Sequence, residues 1–176
     1  MSSEIFGILV KEHENILKIA EILEKECRAL ESRKEQAANK EFFMSVISFI
    51  KDYADRFHHA KEEKILFKEF ETCVNEGRVH CNPVEQMLFE HDKGRAAVKL
   101  MVEGVEAGDK NKLITGGRAY TALIREHIFK EDNILYPMAD EALSQNVKEK
   151  ILRGFNSIKG GDKEKKYLKL LKKLES

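Results

Sequence analysis

The stretch KNKLITGGRAYTALIREHIFKEDNILYPM, residues 110–138, has mainly apolar residues at alternating spacings of three and four. That spacing is typical of a helix that turns one face to a protein core. Two ionisable residues stand in this inner row, which reads Leu113, Gly117, Tyr120, Ile124, His127, Glu131, Ile134 and Met138. The stretch therefore predicts a long helix that carries a histidine and a glutamate toward the core.

Three further stretches show the same periodicity, and each has a histidine in its inner row. The first row reads Leu9, His13, Ile16, Ala20, Leu23, Cys27 and Leu30. The second is less regular and reads Val46, Phe49, Tyr53, His59, Glu63, Leu66 and Phe70. The third reads Val84, Met87, His91, Gly94, Val98, Met101 and Val105. We expect four long helices, each presenting one histidine to a shared core.

Helix start and stop signals divide the chain at short connections. The four helices should begin at the caps Ser3, Asn39, Asn82-Pro83 and Asp109. The first three should end near Glu31, Gly77 and Gly108, and the fourth should kink or end at Pro137. Ser144 should cap a short helix to about Phe155, and after a break at Gly160-Gly161, Asp162 should cap a basic amphipathic one that packs on the rest. These signals predict an all-α protein, an antiparallel up-down-up-down four-helix bundle over residues 1–140, with additional short C-terminal helices over 141–176 packed on it.

The composition limits the classes of partner. The 31 basic residues balance 31 acidic ones, so the positive field that nucleic-acid binding needs is missing. No apolar run is long enough to cross a membrane, and the start has acidic residues where a signal peptide has basic and apolar ones. We therefore expect a cytoplasmic protein with no nucleic-acid or membrane partner. Its three cysteines, at no metal-motif spacing, are expected to stay reduced.

Two of the inner histidines have a glutamate four residues later, namely His59 with Glu63 and His127 with Glu131. Residues four apart lie on one helix face, so each pair can reach a common point. A buried carboxylate without compensation is costly, and cations would neutralise both. The sequence thus predicts a metal site made by His13, His59, Glu63, His91, His127 and Glu131.

Two alternatives remain open at this stage. His58 and Glu62 repeat the same spacing one residue earlier, although His58 is off the inner row and is expected at the helix boundary. Asp132 competes with Glu131 in the same way. A pure interaction bundle, in which the polar residues only set the register of the helices, would bind no stoichiometric metal.

Imidazole and carboxylate ligands without thiolate suit iron, manganese or zinc, and bridging carboxylates favour two ions over one. We expect iron first, before manganese or zinc. With four histidines, two bridging glutamates and one oxo or hydroxo bridge, two octahedral ions keep about two positions for a small ligand.

Three segments carry a family resemblance, in the order FHHAKEEKILF (57–67), PVEQMLFEHDKGR (83–95) and REHIFKEDNILYP (125–137), after an early histidine in KEHENI. Together they resemble the hemerythrin-like proteins with the HHE cation-binding domain. That resemblance covers about residues 5–140. It implies a four-helix bundle around a non-haem di-iron centre, with His13, His59, His91 and His127 as iron ligands and Glu63 and Glu131 as bridges.

The chain departs from the oxygen-carrying hemerythrins, which have a fifth histidine on the third helix and an Asp five residues after the last histidine. Here positions 87 and 95 are Met and Arg, while Asp132 does stand five after His127. We expect a binding protein for dioxygen or another small diatomic ligand rather than an enzyme. The alternative is a di-iron redox protein that reacts with nitric oxide or peroxide, or an iron donor in the repair of iron centres.

Overall fold

The computed structural model of the chain describes residues 3–33, 37–158 and 161–175, which form helices and contain no strand. Helix α1 is Glu4–Ser32, α3 is Val84–Ala107, α5 is Gln145–Ser157 and α6 is Gly161–Glu175. Helix α2 runs continuously over 40–75 and α4 over 110–142. The all-α prediction is confirmed. None of the described helices is long and apolar enough to cross a membrane.

Two of these helices change their winding along their length. Helix α2 has α-helical ends, Lys40–Phe49 and Phe67–Asn75, and two π-helical segments between them, Ile50–His59 and Glu62–Leu66. Helix α4 is α-helical over Lys110–Lys130, π-helical over Glu131–Leu135 and α-helical again over Tyr136–Ala142. A π-helix bonds residue i to i+5, so residues that lie off the inner face of an α-helix turn toward the core.

Most of the expected helix ends are confirmed. Asn39 accepts a hydrogen bond from the Phe42 amide at 3.1 Å, and Asp109 accepts from the amides of Asn111 and Lys112. Gly77 and Gly108 have positive φ after the ends of α2 and α3, where L side chains are strained. Ser3 and Ser144 occupy cap positions without a side-chain hydrogen bond.

Three expected boundaries need comment. Helix α3 begins at Val84 rather than at Pro83, and Asn82 accepts from the Val84 amide at 3.0 Å. The helix that was expected to kink or end at Pro137 continues to Ala142, and its winding changes from π-helical to α-helical at Tyr136, next to the proline. The expected break at Gly160 and the capping side chain of Asp162 lie outside the described residues.

The helices pack through close approaches and apolar side chains. Helix α4 lies against α3 at Gly116, where an added Cβ would come within 2.8 Å of the Ala97 carbonyl oxygen. Two apolar clusters lie at either end of a buried ionisable region, one around Ile16 and Phe49 and the other around Phe6 and Phe70. Ile151 and Phe155 of α5 join the second cluster, and Tyr167 and Leu171 of α6 join the first.

The π-helical segments correct the predicted inner rows. In α4 the exposed fraction of Ile134 is 49%, whereas that of its neighbour Leu135 is 1%. In α2 the side chain of His58 is 1% exposed and lies in the core, so its expected place at the helix boundary is wrong. Each difference lies in a segment where the hydrogen-bond pattern has changed to i→i+5, which a constant helical period does not anticipate.

Candidate metal centre

Seven buried side chains form two neighbouring groups with metal-ligating spacing. One group is His13, His58, Glu62 and Glu131, and the other is His59, His91 and His127. Within each group the candidate ligand atoms lie within 4.8 Å of one another. We call these seven residues the inner cluster. Its members come from α1, α2, α3 and α4, so packing of all four helices assembles it.

Glu131 lies between the two groups. Its Oε2 is 3.2 Å from His13 Nε2, and its Oε1 is 3.2 Å from His127 Nε2. Glu62 has a similar position, with Oε2 at 3.5 Å from His58 Nε2 and 3.6 Å from His91 Nε2. Both carboxylates are fully buried. Each therefore faces one histidine of either group, as a carboxylate shared by two cations would.

A carboxylate stands behind each histidine of the inner cluster. The Nδ1 atoms of His13, His58, His91 and His127 lie 2.7 to 2.9 Å from carboxylate oxygens of Asp132, Glu12, Glu63 and Glu90, respectively. His59 Nδ1 is 3.4 Å from Asp55 Oδ1. A carboxylate that accepts from Nδ1–H fixes the tautomer and leaves the Nε2 lone pair free for a metal ion.

The inner nitrogens of His91 and His127 lie unusually close to each other. Their Nε2 atoms are 3.0 Å apart, while both Nδ1 atoms face carboxylates. In the tautomer that those carboxylates favour, both Nε2 atoms carry lone pairs, and two lone pairs at this distance repel. A cation bound by both nitrogens removes that repulsion.

Several buried polar atoms of the inner cluster lack a hydrogen-bond partner among the described residues. Glu62 Oε2 and both oxygens of Glu131 have no hydrogen-bond partner, nor does His58 Nε2. Burial without such a partner is costly for a polar atom, and most of all for a charged one. Unpaired acceptors aimed at one region fit a cation-binding centre.

The pKa values of the two glutamates are driven apart. Burial, and then the charge of Glu131, raise the pKa of Glu62 well above its usual range. Burial alone would also raise the pKa of Glu131, but His127 and His13 outweigh it and hold that pKa well below its usual range. Without a cation, one carboxylate thus retains a proton while protonated imidazoles compensate the other.

The pKa values of the histidines are also shifted in opposite directions. Burial lowers the pKa of His58 well below its usual value and that of His59 to about 4, so both are neutral and able to bind a metal. Burial opposes the charge on His13 too, but the facing carboxylates of Asp132 and Glu131 raise its pKa to about 9. Metal binding would displace that proton.

The structure brings five of the six predicted ligands into the inner cluster, namely His13, His59, His91, His127 and Glu131. Glu63 lies outside it, with 24% of its side chain exposed, and it accepts from His91 Nδ1 and Arg95. Burial would raise the pKa of Glu63, but His91 and Arg95 lower it to about 2. Glu63 therefore orients His91 from behind.

The structure places the alternative ligands differently. His58 and Glu62 lie in the inner cluster in addition to His59, which makes five histidines. Asp132 lies outside it and contacts His13 Nδ1. Neither Glu12, Glu90 nor Tyr136 was singled out from the sequence. Tyr136 donates a hydrogen bond to Glu62 Oε1, and only the π-helical winding of 131–135 brings it inward.

A third group with metal-ligating spacing is already paired with an arginine. Asp55, His59 and Glu63 have metal-ligating spacing. The Arg95 guanidinium lies among them, with Nη2 at 2.7 Å from Asp55 Oδ1 and 2.6 Å from Glu63 Oε1. Because its charge already neutralises the two carboxylates, this group is an ion-pair network behind the inner cluster.

A mostly apolar cavity of about 90 Å³ reaches the His59, His91 and His127 group. Ile50, Val98 and Ile124 form part of its wall, and it also contacts Gly94 and Tyr120. Its volume exceeds that of one water molecule, which occupies about 30 Å³ in the liquid. A small molecule could thus reach the inner cluster through this cavity.

Comparison with known proteins agrees with this geometry. The family model for the hemerythrin HHE cation binding domain matches residues 4–139, which include every residue of the inner cluster. No curated protein and no solved structure matches the chain.

Proposed function

Because the chain belongs to the hemerythrin HHE cation-binding domain family, we propose that it is a non-haem di-iron protein that binds dioxygen or a related small molecule. His13 and His58 hold one iron ion, and a second group holds the other ion, namely His59, His91 and His127. Glu62 and Glu131 bridge the two ions. In this assignment Glu62 replaces Glu63 as the first bridge.

One observation carries the proposal. The inner cluster has five imidazoles whose Nδ1 atoms all face carboxylates, around two buried glutamates with unpaired oxygens. A purely structural polar core would pair these groups with each other. Here four of the five rings have Nδ1 at hydrogen-bond distance from an outer carboxylate, while Glu62 Oε2 and both oxygens of Glu131 have no hydrogen-bond partner and remain for cations.

The chemistry of the ligands supports iron. Imidazole and carboxylate suit iron, manganese and zinc, and two bridging carboxylates suit a pair of ions. No cysteine belongs to the inner cluster. Cys27 and Cys73 are buried elsewhere and Cys81 is exposed. Ferrous iron at such a centre supplies the electrons for reversible binding of dioxygen.

The ligand set also locates the open position. With octahedral geometry, three imidazoles, two carboxylates and a solvent-derived bridge fill the coordination of the ion at His59, His91 and His127. The ion at His13 and His58 has one imidazole fewer and keeps one position open. Because His58 adds a fifth histidine to the site, one position stays open where the sequence predicted two.

The protein around the centre controls access and solvent. All seven side chains of the inner cluster are at least 93% buried, since the most exposed, His59, is 7% exposed. The surrounding carboxylates hold the rings in place, and three cations pair with four of them: Lys61 with Glu12, Lys130 with Glu90, and Arg95 with both Glu63 and Asp55. This arrangement excludes water and favours a small, uncharged ligand over a solvated one.

We also propose that α1 to α4 form an antiparallel four-helix bundle, with α5 and α6 as an extension packed on it. The inner cluster draws on all four helices, and the contacts between α3 and α4 pair early residues of one with late residues of the other. His91 thus meets His127, while Ala97 meets Gly116. Tyr167 and Leu171 bury α6 against the bundle.

The optical spectrum of anaerobically iron-loaded, reduced protein tests the function. We expect two irons per chain and oxygen-dependent charge-transfer bands that vanish when oxygen is removed. Irreversible conversion to a ferric spectrum would instead favour the redox or iron-donor alternative. Failure to take up iron would contradict the di-iron assignment.

Two neighbouring glutamates provide a matched pair of variants for the ligand set. Glu62→Gln should reduce the iron content toward one ion per chain, because it removes a bridging charge. Glu63→Gln should keep two ions, since that side chain contacts the outer nitrogen of His91 and the Arg95 guanidinium and no inner nitrogen. The reverse result would return the bridge to Glu63.

A further inference from the structure

The hydroxyl of Tyr136 lies at the edge of the inner cluster on the His13 side. The residue is 2% exposed, and its ring stacks on that of His13 at a centroid distance of 5.6 Å and an interplanar angle of 8°. Its Oη donates to Glu62 Oε1 at 2.5 Å and is 3.3 Å from His13 Nε2. The phenol oxygen thus lies between a proposed bridging carboxylate and a proposed metal-binding nitrogen.

This location coincides with the ion that keeps an open position. That ion is held by His13 and His58, and the inference therefore rests on the proposed function. A ligand bound at the open position needs a hydrogen-bond donor when its outer atom becomes electron-rich. The neighbouring groups do not provide one, because both imidazoles have Nδ1 engaged on the outside and Glu62 and Glu131 only accept.

The hydroxyl of Tyr136 is costly to bury for packing alone. Its ring also packs against Phe6 at 5.3 Å, where a phenylalanine would serve equally well. A buried phenol ordinarily finds a hydrogen-bond partner, and Tyr136 donates to Glu62 Oε1. Its hydroxyl is thus a hydrogen-bond donor that already points into the inner cluster.

We propose that Tyr136 is a positioning residue that donates a hydrogen bond from its phenol to the small ligand at the open position beside His13 and His58. Its proton turns from Glu62 Oε1 to the outer atom of the ligand. The ligand class is a two- or three-atom molecule with an acceptor atom at its free end, such as dioxygen or azide. The hydrogen bond selects such ligands over those without an acceptor.

Azide binding to the iron-loaded ferric protein tests this role. The variants are Tyr136→Phe and, as the matched control, Tyr53→Phe, which is equally buried but whose hydroxyl accepts a hydrogen bond from Asn15. Tyr136→Phe should weaken azide binding by about 10- to 100-fold, the usual effect of one hydrogen bond to a charged group. Iron content should stay at two per chain, and Tyr53→Phe should bind azide as the unmodified protein does.

A vibrational measurement provides a second readout that packing would not move. The antisymmetric stretch of bound azide should shift between H₂O and D₂O in the unmodified protein and should lose this shift in Tyr136→Phe. If the unmodified protein shows no isotope shift, the proposal is wrong even where Tyr136→Phe fails to load iron.

Other outcomes separate this inference from the proposed function. Fewer than two irons in the unmodified protein would contradict the proposed function itself. Three results would overturn only the role of Tyr136 while two irons are bound: unchanged azide affinity in Tyr136→Phe, an equal or larger loss in Tyr53→Phe, or no azide binding at all. A phenolate-to-iron band in the azide-free protein that disappears in Tyr136→Phe would also overturn it, because Tyr136 would then fill the open position itself.

Discussion

Glu12 accepts a hydrogen bond from the Nδ1 atom of His58 at 2.9 Å, across 46 positions of sequence. The other oxygen of the same carboxylate pairs with Lys61, whose side chain is 5% exposed. Such a buried ion pair is costly to break, because removal of one partner leaves the other charge uncompensated. The chain therefore maintains a charged pair behind one imidazole, and its role is to fix the orientation and tautomer of that ring.

Glu12→Gln should weaken iron binding while the helices stay folded. The amide can still accept from His58, but it loses the charge that holds the tautomer and neutralises Lys61. Loss of such an outer partner lowers metal affinity by about 10- to 100-fold. Competition with a chelator, followed by the optical spectrum, measures the change. Glu14→Gln on the exposed side of α1 is the control and should bind iron normally; equal affinity in both variants would contradict the role of Glu12.

Arg95→Gln should accelerate iron loss from the ion at His59, His91 and His127. Arg95 holds both Asp55 and Glu63, which stand behind His59 and His91. Without the guanidinium, the two carboxylates repel each other and release the rings. We expect transfer of iron to a chelator to be about tenfold faster.

The control for this experiment is another arginine ion pair. Arg118 pairs with Glu31 at the surface, with about half of each side chain exposed. Arg118→Gln should leave the rate of iron loss unchanged, because surface ion pairs contribute little. A similar rate in the two variants would show that Arg95 does not support the centre.

The sequence predicted the helices, and it predicted His13, His91 and His127 because a helical period of three and four residues holds over α1, α3 and the first part of α4. His59 and Glu131 were also predicted, although they stand at the end and at the start of π-helical segments, but other positions in those segments were not. In the π-helical segments His58 and Glu62 turn inward, and Leu135 takes the place expected for Ile134. The outer carboxylates were missed for another reason, since Glu12 and Glu90 belong to the site only through contacts between helices.

Removal of metal should destabilise the protein. Without cations, Glu62 must keep a proton in the core, Glu131 relies on protonated imidazoles, and His58 Nε2 and Glu62 Oε2 have no hydrogen-bond partner. A ligand at 100 times its dissociation constant stabilises the folded state by about 2.7 kcal/mol. For a chain of this size, that corresponds to a Tm about 5–10 °C lower in the metal-free protein.

Thermal unfolding with and without chelator measures this difference. Glu131→Gln provides the control, because a chain that cannot hold both ions should show a smaller change on chelation. If the unmodified protein has the same Tm with and without chelator, the buried polar groups are satisfied by the protein alone. That result would favour an interaction bundle.

Gly116→Ala should lower stability through the contact between α3 and α4. The added Cβ would lie 2.8 Å from the Ala97 carbonyl oxygen and 2.8 Å from Met101 Cγ, and the backbone atom cannot rotate away. Helix α3 must then move, at a cost of about 1–3 kcal/mol in the free energy of unfolding. Gly7→Ala is the matched control, because its Cβ would meet no atom within 4 Å and alanine favours the helix by up to about 1 kcal/mol. Denaturant unfolding of the metal-free proteins should therefore show a lower free energy of unfolding for Gly116→Ala and a higher one for Gly7→Ala.

The same substitution at Gly116 should also weaken iron binding, because α3 carries His91 and α4 carries His127. Normal iron affinity would show that the centre tolerates a shift between these helices.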